Sequence, residues 1–429
     1  MRIGIIYDDI SREGLDASHP QTGNPGVGGT QFCYLMLLYF YSQYYPEDEL
    51  IVYRHRHTDR LCKMPREDKV IYRIAASPQD CVEKAADDGV DMLLFNFGHV
   101  MELADVLREK RIKSAVWVHN WIRGDILRVM ADHPFIRRVI FLVKEHYDRY
   151  IDHNVIRKGV VIPNMFCTDG YPVREEDPAP VVTYVGAIVP GKGFASLAKA
   201  WPAVLKQTPD AELYVIGKGD LYGTDMRLGP LGIAEEKYEA SFAPFVTDAD
   251  GKVLPSVHFM GLMGAEKTDI YRKTRVGVVN PTGRTEVCPI SALEMEAACI
   301  PVVSKNVNGL PDVVADGSTG TLIRSEGALA GAICRLLADE EKNRAFGKNA
   351  RAFVEEGFAP DKVTCKWKRM FSDIYEDKAA EYIPPKSHFA NNLKWVRRMN
   401  AGLKRAKIFR KLPALIDVEA GISKLLRGR

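Results

Sequence analysis

A chain of 429 residues exceeds the length at which one hydrophobic core keeps growing, so two domains and a tail are expected. Hydrophobic residues at 46% and charged residues at 27% fit a folded globular enzyme and exclude a disordered chain. The net charge of +3 hides a basic tail: residues 391–429 hold eleven Lys or Arg against Asp417 and Glu419, leaving about −6 elsewhere.

The chain opens MRIGIIYDD, where the apolar run is too short for a secretory signal and closes on two Asp. No run of 18 apolar residues follows, so no spanning helix and a cytoplasmic protein are expected. Short apolar runs then alternate with helical stretches, the pattern of parallel sheets covered on both faces. Strands are expected at 3–7, 50–53, 92–95, 115–119, 139–143 and 160–162, and again at 181–185, 212–216, 257–260, 276–279 and 301–304. The Pro- and acid-rich stretch 167–180 reads as a linker. The expected layout is therefore an α/β domain over 1–166 and a second over 181–357. A helix over 358–380 returns to the first domain, and a tail covers 381–429. An irregular insertion, 220–255, interrupts the second domain and is too long for a routine loop. The eight cysteines show no CxxC pairing and no His at ligand spacing, which predicts reduced thiols and no metal site.

Gly28-Gly29 follows the loop after the first strand and precedes the helical run FCYLMLLYFY, with Thr30 as the expected N-cap. Glycines there let backbone N–H groups approach a diphosphate at a helix N-terminus, and a plain turn is the alternative. In YVGAIVPGKGF the strand ends on Gly186 and Lys192 stands before a helix beginning near Phe194, where it can neutralise a leaving diphosphate. The next strand ends in Gly217-Lys218-Gly219 at the carboxyl edge of the sheet, where open α/β sheets bind ligands.

The most informative segment is NPTGRTEVCPISALEMEAACIPVV, residues 280–303. Pro289 suits a first helical turn, which puts Glu286 in the loop facing the helix and Glu294 about a turn and a half inside it. One carboxylate can then meet sugar hydroxyls and the other ribose hydroxyls, with a chance spacing of two Glu as the alternative. These polar residues are expected in a cleft and not in the core.

Lys192, Gly217-Lys218-Gly219, Val257-His258-Phe259-Met260-Gly261, the Glu286 to Glu294 motif and Asn308-Gly309-Leu310-Pro311-Asp312-Val313-Val314 stand in one order. In that order the second half resembles the donor domain of retaining family-4 glycosyltransferases with the GT-B fold. Weaker echoes in the first half are Gly28-Gly29, Val118-His119 and Ile162-Pro163-Asn164. The resemblance implies two Rossmann-like domains facing across a cleft, with sugar transfer from a nucleotide-sugar to an acceptor hydroxyl, configuration retained and no metal or other cofactor. It implies that Lys192 contacts the donor diphosphate, Glu294 the ribose and Glu286 the transferred sugar, with His119 reaching the sugar from the first domain. Gly28, Gly29, Gly186, Gly217, Cys288 and Ile290 complete the implied donor-binding set. Three positions depart from the family: Ala187 where Arg is usual, and Pro289 and Cys299 where Gly is common. The Ala187 departure leaves a catalytically silent nucleotide-sugar-binding partner as one alternative, and a GT-B nucleotide-sugar epimerase is another.

Last, residues 392–412 place Leu393, Val396, Met399, Leu403, Ala406 and Phe409 on one helical face among eight cations. Two outcomes are open: an interfacial helix on an anionic membrane surface serving a glycan or lipid-linked acceptor, or a helix packing its apolar stripe on the protein. A nucleic-acid partner is not expected, since aromatic interleaving hardly extends beyond Trp395, with Phe409 on the apolar face.

Overall fold

The computed structural model describes residues 1–9, 15–55, 62–174, 178–219, 227–386, 390–406, 409 and 411–427. Two compact units emerge: residues 1–20, 27–165 and 360–429 form unit 1, and residues 21–26 and 166–359 form unit 2. Each is an α/β layer structure on a fully parallel sheet.

In unit 1 the strands are β1 (Arg2–Asp8), β2 (Glu49–His55), β3 (Val70–Ile74), β4 (Met92–Asn96), β5 (Ser114–Val118), β6 (Ile136–Phe141) and β7 (Gly159–Val161), ordered β3-β2-β1-β4-β5-β6-β7. In unit 2 they are β8 (Val181–Val185), β9 (Glu212–Ile216), β10 (Val257–Gly261), β11 (Val276–Val278), β12 (Val302–Lys305) and β13 (Gly320–Ile323), ordered β10-β9-β8-β11-β12-β13. The strand interiors read as continuous apolar runs because both faces are covered by helices. Each expected strand is present. β3 and β13 are additional, and both are edge strands.

In each sheet the strand order reverses once, between β1 and β4 and between β8 and β11. Loops leaving those two strands diverge to opposite faces, which opens a crevice at the carboxyl edge. The Gly29–Tyr44 helix follows β1, and its cap is Gly28 (φ −61°, ψ 151°) rather than Thr30, which lies inside the first turn with no capping bond from its hydroxyl. The Pro360–Tyr375 helix belongs to unit 1: Trp367 meets Trp117 edge to face at 4.6 Å, and Phe371 meets Tyr41 at 5.5 Å.

The tail departs from one continuous helix over 392–412. Asn392 and Leu393 adopt left-handed backbone (φ 51° and 54°), and the helix runs only Lys394–Leu403, followed by a second at Leu415–Arg427. Of the eight cations expected around the stripe, Lys407 and Arg410 lie outside the described residues, as do residues 220–226 of the insertion.

Candidate functional site

The loop after β8 and the loop after β11 leave adjacent strands at the point where the unit 2 order reverses. Gly186 and Gly217 lie side by side there, with Gly186 N–H donating to the Ile216 carbonyl at 3.0 Å. At Gly217 (φ +148°) an added Cβ would stand 2.0 Å from the Gly186 oxygen, so the close approach of the two backbones requires glycine. Lys192 ends a single 3₁₀ turn, Pro190–Lys192, and Gly193 (φ +74°) reverses the chain into the Phe194–Gln207 helix.

That turn aims Lys192 at the loop after β11. Its Nζ lies 2.6 Å from Glu286 Oε1, the lysine half-buried and the carboxylate buried. Asn280 joins the two loops. Its Nδ2 donates to the Gly191 carbonyl and to Glu286 Oε1, both at 2.9 Å, while its Oδ1 accepts from Gly283 N–H at 3.0 Å. Asn280 sits at φ +32°, a backbone setting Asn tolerates better than most residues. Sequence reading placed this residue at the head of the motif and gave it no role; its position directly after a strand was the available signal.

Glu294 lies within the Ile290–Ala297 helix, which Pro289 caps. It departs from the expectation of a cleft position. Its carboxylate is buried and surrounded: Oε1 accepts from Lys267 Nζ at 2.6 Å and from Tyr171 OH at 2.9 Å, and Oε2 accepts from Tyr271 OH at 3.0 Å. The two tyrosines are pushed well above their ordinary acidity range, by burial first and then by the Glu294 charge, so both remain donors at neutral pH. Three of about four acceptor directions are already used. Lys267, Tyr171 and Tyr271 come from distant positions, and no local spacing announced them.

The remaining donor-side residues divide. Cys288 is buried, Ile290 half-buried in the first turn, and Ala187 is buried without a charge, while Lys218 and Arg284 are exposed. Cys299 takes a left-handed conformation (φ 61°) just after the helix end, the geometry that favours glycine there. Asp248 Oδ1 accepts from the N–H groups of Asp250 and Lys252, both at 2.9 Å, so the Asp248-Ala249-Asp250 segment is a turn.

In unit 1, Gly28 and Gly29 are exposed at the start of their helix, and a Cβ on Gly29 would meet nothing within 4 Å among the described residues. His119 follows β5 and packs its ring 4.5 Å from that of Trp117, tilted by 46°. Gly98 N–H donates to Asn96 Oδ1 at 2.9 Å, which turns the Asn96 amide nitrogen toward His119 Nδ1 at 3.5 Å. Nδ1 is thus the acceptor and Nε2 carries the proton. Burial lowers the His119 pKa to about 3, so the ring is neutral, and Nε2 is buried without a hydrogen-bond partner among the described residues.

Residues 179–339 match the family model for glycosyl transferases group 1. A GDP-mannose-dependent alpha-(1-6)-phosphatidylinositol monomannoside mannosyltransferase of Mycolicibacterium smegmatis is 31% identical over 175 residues, 40% of this chain and 42% of the relative. The capsular polysaccharide biosynthesis glycosyltransferase CapM of Staphylococcus aureus is 26% identical over 199 residues, 46% of this chain and 47% of the relative. The chain thus spans less than half the length of these curated relatives. Among solved structures, Anabaena Alr3699/HepE in complex with UDP superposes with a TM-score of 0.64 at 15% identity, covering 87% of this chain and all of that one. Sucrose-phosphate synthase from Thermosynechococcus elongatus gives 0.61 at 18%, covering 88% and 100%. Residues 179–339 are thus similar to family-4 glycosyltransferases, and the chain has the GT-B fold of those solved structures.

Proposed function

We propose that the chain transfers a sugar from a nucleotide-sugar to an acceptor hydroxyl with retention of configuration, using no metal at the diphosphate. The observation that carries this reading is the Lys192–Glu286 pair, held by Asn280 at the carboxyl edge of β8 and β11. Lys192 is the one side chain of the donor set that combines a cation with partial burial, so it stabilises the charge that develops on the departing diphosphate. Glu286, released from Lys192 as donor binds, accepts hydroxyls of the transferred sugar. Among the described residues no carboxylate stands out as a covalent nucleophile, which favours front-face displacement. The acceptor oxygen bonds to the anomeric carbon, the bond to the diphosphate breaks on the same face, and a phosphate oxygen takes the acceptor proton.

The acceptor we propose is a glycan or lipid-linked glycan at the cytoplasmic face of a membrane. The relatives named above act on a phosphatidylinositol mannoside and in capsular polysaccharide biosynthesis. The tail supports the membrane part. Lys394 pairs with Glu145 and, at 2.9 Å, with Asp148, and Arg397 pairs with Glu419, so two cations turn inward. Trp395, Met399 and Leu403 are left exposed at helical spacing, with exposed Arg398, Arg405 and Lys411 beside them. An outward apolar stripe rimmed by cations suits an anionic leaflet, each basic residue near the surface adding about 1 kcal/mol.

The test is incubation with GDP-mannose, UDP-glucose and UDP-N-acetylglucosamine, with and without membrane extract, followed by NMR of donor and product. Retained anomeric configuration in an acceptor-dependent product supports the proposal. Conversion of the donor sugar without acceptor marks an epimerase, and no consumption of any donor marks a silent binding partner.

A further inference from the structure

At the carboxyl edge of the unit 1 sheet, three ligand-type side chains converge from three neighbouring strands. Asp8 ends β1, His55 ends β2 directly opposite it in register, and His99 follows β4 on the other side of β1. Asp8 Oδ1 lies 2.8 Å from His55 Nε2 and 2.8 Å from His99 Nε2, and all three atoms fall within 4.8 Å of one another. Both imidazoles are buried, while the Asp8 side chain keeps some contact with solvent.

We propose that Asp8, His55 and His99 bind one borderline divalent cation of the Zn²⁺ class. A hydrogen-bonded cluster would account for His99, whose Nε2 bonds to Asp8. It does not account for His55, whose Nε2 is buried yet makes no hydrogen bond among the described residues, although a carboxylate oxygen stands 2.8 Å away. A ring nitrogen facing an anionic oxygen without a shared proton repels it, and a cation bound to both turns that contact into attraction. Tetrahedral ligand atoms about 2.1 Å from one ion lie about 3.4 Å apart, so the two 2.8 Å contacts to Asp8 open by roughly half an ångström when the ion binds. His99 Nδ1 also faces Glu102 Oε2 at 3.3 Å, the carboxylate that commonly orients a metal-ligating imidazole. Two imidazoles with one carboxylate suit Zn²⁺, Co²⁺ or Fe²⁺ and poorly suit Mg²⁺ or Ca²⁺, which take oxygen ligands. The ion ties together the ends of β1 and β2 and the start of the segment after β4. Its residues all belong to unit 1, and the inference holds whether or not the chain transfers sugar.

Titration of the metal-stripped full chain with Co²⁺ tests this directly. The expected result is visible d–d absorption saturating at one equivalent, without thiolate charge-transfer bands, displaced by Zn²⁺ and accompanied by a higher melting temperature for unit 1. His55→Gln, His99→Gln and the near-isosteric Asp8→Asn should each weaken binding at least tenfold. Glu102→Gln should weaken it about tenfold through the His99 orientation. Circular dichroism of Asp8→Asn guards against simple misfolding. Absence of one-equivalent binding in the native chain, thiolate bands showing cysteine ligation, or unchanged binding in a folded Asp8→Asn and His99→Gln chain would each overturn the assignment.

Discussion

Glu294 shows how a residue's surroundings redirect its reading. A carboxylate buried with Lys267 and two tyrosyl donors holds the Ile290–Ala297 helix against the Lys267–Lys273 helix, so it has a structural duty beyond any contact with ribose. Removing one partner of a buried pair strands the other charge, at about 3 kcal/mol or more. We therefore expect Glu294→Gln to lower the stability of unit 2 by that order, in addition to weakening nucleotide binding. Adding Lys267→Met should recover most of the stability and none of the affinity. Chemical denaturation and nucleotide titration separate the two effects, and unchanged stability in Glu294→Gln would show that the cluster is incidental.

The buried histidines give a pH dependence. Burial lowers the pKa values of both His119 and His146 from 6.5 to about 3. Between those values the unfolded chain binds protons that the folded chain does not, so stability falls as pH drops from about 6.5 toward 3. Melting of unit 1, followed through its tryptophans, should shift downward across that window, with a shallower slope in His146→Gln. A flat profile would show that the rings protonate in place.

At the scale of elements, the buried central strands were legible because each is an uninterrupted apolar run. The two unexpected strands are edges. β3 carries exposed Arg73 and Ile74 after a charged turn, and β13 is four residues opening on Gly320. Half-covered edges lose the run that marks a central strand. Within residues 280–303 the loop, helix start and both carboxylates lie close in sequence, so their local arrangement was readable, whereas the Lys192–Glu286 contact spans 94 residues and left no spacing to count. The partners of Glu294, and the convergence of Asp8, His55 and His99, come from separated strands and helices and leave no spacing to count. In the tail the helical period holds only over Lys394–Leu403, leaving Leu393, Ala406 and Phe409 outside the helix, and it did not settle which face turns inward: Lys394 and Arg397 face Glu145, Asp148 and Glu419, which only the fold brings together.

That orientation makes a specific prediction. Trp395→Ser with Met399→Ser and Leu403→Ser should abolish co-sedimentation with anionic vesicles while leaving the fold intact, because these side chains are exposed. Removal of residues 391–429 should also abolish binding but strands buried Glu145 and Asp148 without Lys394 and so lowers the stability of unit 1, which makes the triple substitution the cleaner test; salt should weaken native binding by screening. Full-length protein that ignores phosphatidylglycerol vesicles at low salt would leave the stripe without a membrane role and favour a soluble acceptor.

For the whole molecule, charge and chemistry are divided between the parts. The tail carries a local excess of nine positive charges on a chain whose remainder is acidic, and the proposed donor residues Lys192, Glu286 and Glu294 lie within unit 2. Because the proposed leaving-group stabiliser is Lys192, chelation should leave transfer largely intact even as it strips an ion from Asp8, His55 and His99 and lowers the melting temperature of unit 1. A strict requirement for Mg²⁺ or Mn²⁺, restored on adding the metal back, would contradict metal-independent transfer.

The central claim is that the Lys192–Glu286 pair drives transfer from a nucleotide-sugar, and steady-state kinetics of Lys192→Ala on the donor that supports turnover test it most directly. A cation that acts mainly on the departing diphosphate is worth more in the transition state than in the bound donor. The account predicts a fall in kcat on the order of 10² with a much smaller change in KM, in a protein of native stability. Near-native kcat at saturating donor in the Lys192→Ala chain would contradict it.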